Sequence, residues 1–147
     1  MKKNIEMEKY YNLPDRVEKV ELMSLFEDAM NKYDGGEVAK LDFLEIISEL
    51  ADRQVMSYEI LDENIKNRVD RAISDIWNVN NYDEVDDILS IAVNLGLQGC
   101  YEKIKESAVL CEDIDKNILK EIRETIKESG DDISNPYIKL EMEFKRK

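Results

Sequence analysis

The sequence predicts an all-α fold, and two observations support this prediction. Hydrophobic residues make up 43% and charged residues 37% of the 147 positions, while only 5 glycines and 2 prolines are present. Such a composition is rich in helix formers and poor in glycine and proline, the residues that mark turns and the ends of strands. The most continuously apolar stretch, residues 88–97, is interrupted only by Ser90 and Asn94. A helix that is apolar nearly all round must be covered on several sides, so this stretch is predicted to form the centre of the core.

A chain of this length corresponds to one ordinary domain, which buries roughly 68–70% of its unfolded surface. We therefore predict a single domain over residues 1–147. Its helical body is expected to span about residues 14–130, followed by a tail over residues 131–147.

The first helix is predicted to begin at Asp15, directly after Pro14. Asp15 can act as the N-cap, and Glu18, three residues later, can reach back to the cap. The glycine pair at 35–36 is predicted to end this helix. The apolar residues that fall mainly on one of its faces are Val17, Val20, Phe26, Met30 and Tyr33.

Helical spacing of apolar residues predicts a second helix from about Glu37 to Ala51, including Val38 and Leu41, and a third from about residue 62 to Trp77. The fourth helix, Tyr82 to Leu95, contains the central apolar stretch. It is predicted to be capped by Asn81 with Glu84 and to end at Gly96. A fifth helix is predicted from Gln98 to Leu110, and a sixth from Asp113 or Asp115 to Ser129, with Gly130 as its terminator.

Short strands are predicted at the two termini, where apolar and polar residues alternate. Ile5, Met7 and Lys9 alternate with Glu6, Glu8 and Tyr10 near the start. In the tail, residues 138–145 alternate strictly, which is typical of a strand. Because a lone strand needs a pairing partner, the tail strand pairs with the N-terminus, pairs with another chain, or stays disordered; we favour the first.

The predicted helices are spaced like stacked pairs. Helices three and five start near residues 62 and 98, and helices four and six near 82 and 115, which gives offsets of 36 and 33 residues. About half of the chain resembles a HEAT-like helical-hairpin repeat, although its spacing is shorter than the roughly 40–47 residues usual for that class. The alternative is a plain six-helix bundle. The residues that carry this resemblance are Leu95-Gly96-Leu97, Tyr101, Ile104, Ala108, Ile118, Ile122 and Ile126.

The chain is strongly acidic, with a formal net charge of −13, and residues 41–90 contain 13 acids against 4 bases. A negative field of this kind opposes nucleic-acid phosphate and anionic membranes and favours encounter with a basic partner. The alternative is that the charge only keeps the protein in solution.

No catalytic, metal-binding or cofactor motif is present in the sequence. It contains no histidine, which excludes Ser-His-Asp, Cys-His, His-containing zinc and di-iron sites. Cys100 and Cys111 have no partners at metal-ligand spacing and are expected to be free thiols. Asp83 and Asp87, one turn apart, could hold a hard cation, but their position at a helix start favours stabilisation by the helix dipole. We predict no enzyme activity and no cofactor.

The first eleven residues lack the apolar core of a signal peptide, and no run approaches the roughly 18 apolar residues of a membrane span. A cytoplasmic protein is therefore expected.

Three stretches resemble immunity proteins encoded beside bacterial contact-dependent or secreted polymorphic toxins. They are residues 91–97 (IAVNLGL), residues 120–124 (KEIRE) and Asn135-Pro136-Tyr137. The resemblance implies a cytoplasmic protein that binds one toxin domain tightly, often a basic nuclease, and blocks its active site or substrate groove. It supplies no matched binding motif, so no functional residue is carried over from it.

Candidate partner-binding residues are the outward acids of helices three and four, the edge of helix five, and Trp77 as an aromatic anchor. We expect a monomer or weak dimer with no nucleic-acid or membrane partner. The alternative function is a helical-repeat adaptor or scaffold for a non-toxin protein, with the tail strand adding to the partner's sheet. The candidate residues are Glu63, Asp70, Asp75, Trp77, Asp83, Glu84, Asp86, Asp87, Glu102 and Glu106.

Overall fold

The computed structural model describes residues 2–57, 61–110, 113–130 and 133, with side chains from Met7 onward. Over these residues the chain forms seven α-helices and no strand, so the predicted all-α class is confirmed. The helices are α1 (Lys2–Tyr11), α2 (Lys19–Asp34), α3 (Lys40–Met56), α4 (Glu63–Ile76), α5 (Tyr82–Leu95), α6 (Gln98–Leu110) and α7 (Lys116–Ser129).

The caps of the later helices follow the local sequence signals. The Asn81 side chain accepts a hydrogen bond from the Glu84 N–H at 3.1 Å, as predicted for the start of α5. Gly96 ends that helix in the left-handed conformation with φ 70°, which glycine adopts without steric cost. The carboxylates of Asp62 and Asp115 cap α4 and α7 in the same way as Asn81 caps α5.

The N-terminal strand prediction is wrong, because residues 2–11 form α1. Met7 and Tyr10 lie three residues apart and are both buried, so they share the inward side of a helix, whereas a strand would also need a pairing partner. The predicted tail strand at 138–145 lies outside the described residues.

The first predicted helix begins at Lys19 rather than Asp15, and a distant arginine explains the difference. Arg53 is only 8% exposed; its Nη2 donates to the Leu13 carbonyl at 2.8 Å and its Nε to the Pro14 carbonyl at 3.3 Å. These bonds hold the connection between α1 and α2 outside a helix. Val20, predicted on the inward face, is 76% exposed.

The second predicted helix also starts later, at Lys40, and continues to Met56. Its start is delayed because the Glu37 N–H donates to the Lys32 carbonyl at 2.9 Å, which closes the end of α2. Leu41, one of the apolar residues whose spacing predicted this helix, therefore lies in the first turn of α3 and is 59% exposed.

The helices pack as two rows. In one row, α1, α3, α5 and α7 contact one another in that order, and in the other α2, α4 and α6 do the same. The rows contact each other through the pairs α2–α3, α4–α5, α5–α6 and α6–α7. Helix α5 contacts α3, α4, α6 and α7, and its residues Ile88, Ile91 and Leu95 are fully buried. The prediction that this stretch forms the centre of the core is confirmed.

Candidate partner-binding surface

Helices α3, α5 and α7 lie side by side and point in the same direction. Near their starts, Lys40 Nζ of α3 lies 3.1 Å from Glu84 Oε1 of α5. Near their ends, Asp52 of α3 and Asn94 of α5 line one surface cleft. Asn94 also lines a second cleft with Ser129 of α7. Outward side chains of these three helices therefore form neighbouring parallel stripes.

Two of these stripes are acidic, and we call them together the acidic face. On α3, four acids follow one another at spacings of three or four residues, so they lie along one side of the helix. On α5, four acids lie within the first six residues, and the helix contains no lysine or arginine. The acidic face comprises Asp42, Glu45, Glu49 and Asp52 of α3 and Asp83, Glu84, Asp86 and Asp87 of α5.

The bases on α3 neutralise only part of this charge. Lys40 forms the ion pair with Glu84, in a geometry that gives no hydrogen bond to the carboxylate oxygen. Arg53 is buried, and its Nη1 lies 2.6 Å from Glu49 Oε1. With eight carboxylates and two bases on α3 and α5, the face carries an excess of negative charge.

Repulsion within the face shifts the acidity of its members. Partial burial, followed by the negative charges of Asp86, Asp83, Glu45 and Glu84, raises the pKa of Asp87 above its usual value. The charge of Glu45 comes from the neighbouring helix, so the two stripes act on each other. A carboxylate held beside like charges gains from an added cation, which suits this face to a basic partner.

A half-exposed tyrosine stands at each side of the face. The Tyr11 hydroxyl of α1 donates to Glu45 Oε2 at 2.7 Å, and the Tyr82 hydroxyl of α5 donates to Glu121 Oε2 of α7 at 3.2 Å. The rings remain 47% and 45% exposed. The hydrogen bond to Glu45 raises the pKa of Tyr11 to about 12, and that to Glu121 raises the pKa of Tyr82. Both phenols therefore stay neutral, and exposed tyrosines of this kind are enriched at protein interfaces.

The candidate residues separate into two groups. Asp83, Glu84, Asp86 and Asp87 lie together on the acidic face, whereas the remaining acids lie on α4 and α6 in the other row. Helix α4 contains three acids and three bases, and α6 contains two acids and two bases, so neither helix carries a net charge. The acids outside the face are Glu63, Asp70, Asp75, Glu102 and Glu106.

Two acids of the second group are engaged within the chain. The Asp70 carboxylate accepts hydrogen bonds from the N–H groups of Gly99 at 3.0 Å and Cys100 at 2.7 Å, and so caps the start of α6 from the neighbouring helix. Glu102 pairs with Lys105 at 3.0 Å and accepts a hydrogen bond from Gln98. Both contacts, that with Lys105 first, lower the pKa of Glu102.

The prediction of Trp77 as a surface anchor needs correction. Trp77 is 8% exposed, and its indole Nε1 donates to Ser107 Oγ of α6 at 2.9 Å. The side chain therefore belongs to the packing between α4 and α6. Trp77 is buried although it lies at the end of α4, because α6 covers it.

The residues that sequence reasoning missed are the two edge tyrosines and the four α3 acids of the acidic face, Asp42, Glu45, Glu49 and Asp52. The regular spacing of these acids along α3 was a usable signal for all four. Nothing local places Tyr11 beside Glu45, which follows 34 positions later.

Cys100 is a free and buried cysteine, as expected. Burial raises the pKa of its thiol to about 12, so it stays protonated and unreactive at neutral pH. Cys111 lies outside the described residues. Within the part of the chain that the structure describes, no group of three or more Cys, Asp or Glu side chains is placed to hold a metal ion. No described helix is both long and apolar enough to cross a bilayer.

Comparison with known proteins adds no relative. No family model, curated protein or solved structure matches this chain. A functional proposal therefore rests on the chemistry of the surface itself.

Proposed function

We propose that this protein is a toxin-neutralising immunity protein that binds a basic domain of its cognate toxin through the acidic face. The observation that carries this proposal is the placement of eight carboxylates on two adjacent parallel helices with two bases, one of them the buried Arg53. A negative field of this extent accelerates encounter with a cationic surface and disfavours other partners.

In this proposal the protein neutralises the toxin by occupying the groove in which the toxin binds its substrate. The lysines and arginines with which a nuclease or similar toxin holds its substrate would pair with the carboxylates of α3 and α5, which blocks the substrate groove. Desolvated contacts supply most of the affinity. The half-exposed rings of Tyr11 and Tyr82 and the exposed Leu41 are the apolar groups next to the charges.

We also propose that the helices form a short HEAT-like stack of pairs. Contacts between each helix and the one two places later support this architecture, because stacked hairpins bury one continuous core between neighbouring repeats. In such a stack the outer sides of α3, α5 and α7 form one broad surface.

The test uses the toxin domain encoded by a neighbouring gene and two variants that remove equal charge. The first, E45Q/D83N/D86N/D87N, neutralises four carboxylates of the acidic face. The control, E63Q/D75N/E102Q/E106Q, neutralises four on α4 and α6. Electrostatic steering changes association rates by about 10-fold to 1,000-fold, so we expect the first variant to associate at least about tenfold more slowly at low salt.

The control variant should keep an association rate close to that of the parent chain. Equal slowing by both variants would mean that only net charge matters, and an unchanged rate for the first would place the interface elsewhere. An association rate insensitive to ionic strength would also contradict the proposal.

A second candidate function is an adaptor for a non-toxin protein. It is favoured by Val109 and Leu110 at the end of α6, which are exposed apolar neighbours away from the acidic face. Replacing both with serine would weaken binding to such a partner and would leave capture of a basic toxin domain unchanged.

A further inference from the structure

A surface cleft of about 420 Å³ lies where α5 and α7 begin, at the edge of the acidic face. Tyr82, the first residue of α5, lines one side, and Asp83 of the acidic face follows it directly in the chain. The N-cap and the first turns of α7 line the other side. The described residues that line the cleft are Tyr82, Asp115, Asn117, Lys120, Glu121 and Glu124.

The aromatic ring in this cleft is fixed at one end and accessible over much of its surface. The Tyr82 hydroxyl donates to Glu121 Oε2 at 3.2 Å, while the residue stays 45% exposed. A ring held in this way does not need to be ordered again when a ligand binds. The face of an aromatic ring attracts cations, because its π-electrons give it a partial negative charge.

Carboxylates from both helices surround the ring. The hydrogen bond and the charge of Glu121 are the largest causes that raise the pKa of Tyr82, and the charges of Asp86 and Glu124 add to them. Glu121 and Glu124 lie one turn apart on α7, and Asp86 lies one turn after Tyr82 on α5. With three carboxylates against Lys120, the surroundings of the ring are negative.

From this arrangement we propose that the cleft binds the guanidinium group of an arginine on the partner, and that it selects arginine over lysine. The guanidinium would stack on the Tyr82 ring and donate to Glu121 and Glu124. The proposal rests on the proposed function for the source of the arginine, and it names the side chain that the partner presents beside the acidic face. The selectivity of the cleft is a property of this chain alone.

The chemistry of the two basic side chains explains the selectivity. A guanidinium is planar and weakly hydrated, so it can stack on a ring while the donors in its plane reach carboxylates. A lysine ammonium is a compact and strongly hydrated point charge, which gains less from such a cleft. A carboxylate has about four lone-pair positions, so the hydrogen bond from Tyr82 leaves Glu121 able to accept from the ligand.

The test titrates the full chain with two probes at equal ionic strength, N-acetyl-arginine amide and N-acetyl-lysine amide, and follows backbone amide signals by NMR. We expect the arginine probe to shift the signals of residues 82–86 and 120–124. It should bind about two- to fivefold more tightly than the lysine probe, the range expected from an exposed cation–π contact. Y82L should abolish this preference, whereas Y82F, which keeps the ring, should retain it.

A charge-matched pair of variants separates the cleft from net charge. E121Q/E124Q removes two carboxylates of the cleft, and E18Q/E21Q removes two exposed carboxylates with the same spacing at the start of α2. The first should weaken binding of the arginine probe by roughly threefold or more, and the second should leave it unchanged. Equal affinity for the two probes, a preference that survives Y82L or is lost in Y82F, or equal weakening by both charge variants would overturn the proposal.

These measurements need no toxin, so their outcome is independent of the toxin-binding test. In a complex formed through the acidic face, Y82L should raise the dissociation rate severalfold and leave the association rate nearly unchanged, because desolvated contacts govern dissociation and exposed charges govern association. An unchanged dissociation rate in such a complex would overturn the arginine proposal and leave the proposed function standing.

Discussion

At the scale of single residues, two polar side chains connect parts of the chain that are far apart in sequence. Arg53 binds the carbonyls of Leu13 and Pro14 and the carboxylate of Glu49. Asp70 caps α6 through the N–H groups of Gly99 and Cys100. Removing one partner of such a contact leaves buried polar groups unsatisfied, which costs more than the contact itself contributes.

Replacing Arg53 with methionine tests the first of these connections. We expect the free energy of unfolding to fall by about 2–3 kcal/mol, because hydrogen bonds to a charged group are lost and two carbonyls lose their donor. Urea denaturation measures the change. Arg123→Met, which removes an exposed arginine on α7, should cost less than about 0.5 kcal/mol; a similar loss in both variants would contradict the role of Arg53.

Asp70 and Gly99 are tested together in a double-mutant cycle. A Cβ at position 99 would lie 2.9 Å from Asp70 Oδ2, so alanine there pushes the cap away. In a D70A background, G99A should stabilise α6 by roughly 0.5–1 kcal/mol, since alanine favours a helix over glycine. In the parent chain this gain should disappear. Additive effects in the cycle would mean that the two residues are not coupled.

At the scale of elements, α5 combines a buried apolar side with an acidic start. The carboxylates of Asp83 and Glu84 in its first turn gain from the helix dipole. Asp87 lies one turn further along and gains less, while partial burial, followed by like charges, raises its pKa. Its negative charge is therefore less stable in the folded chain than in the unfolded one.

Asp87→Asn should consequently stabilise the protein at pH 7, by about 0.2–0.5 kcal/mol per like-charged pair relieved. The pKa of Asp87 is higher in the folded chain than in the unfolded chain. At pH values above the folded pKa, the charged carboxylate therefore lowers the free energy of unfolding of the parent chain. This loss disappears as the pH falls through that pKa. The difference between variant and parent should thus vanish near pH 3. Urea denaturation at both pH values measures it, with Asp75→Asn on α4 as the control; a stabilisation that persists at pH 3 would contradict this explanation.

The elements also show what the sequence could predict. The starts and ends of α5 and α7 depend on neighbouring residues such as Asn81, Gly96 and Gly130, so local patterns identified them. The start of α2 depends on Arg53, about 40 positions away, and no local pattern contains that contact. Likewise, the sequence order suggested that acids of α4 and α5 act together, whereas packing between every second helix brings α3 beside α5.

At the scale of the whole molecule, the net charge of −13 opposes the compact state. Because salt screens exposed charges, raising the ionic strength from 10 to 150 mM should increase the free energy of unfolding. Urea denaturation across a salt series measures this dependence. The variant E45Q/D83N/D86N/D87N should show a weaker dependence than E63Q/D75N/E102Q/E106Q, because the first set lies on the face with excess charge. Equal slopes would show that repulsion is not concentrated there.

The two-row packing has a consequence for the time in which the protein folds. Almost every helix contact joins elements that are one or two places apart in the chain, so few long loops must close before native contacts form, and folding is expected to be rapid. Helix α1 lies at one end of its row and packs mainly on α3. The first helix is therefore expected to dock last, and its amide protons to exchange with solvent before those of α5.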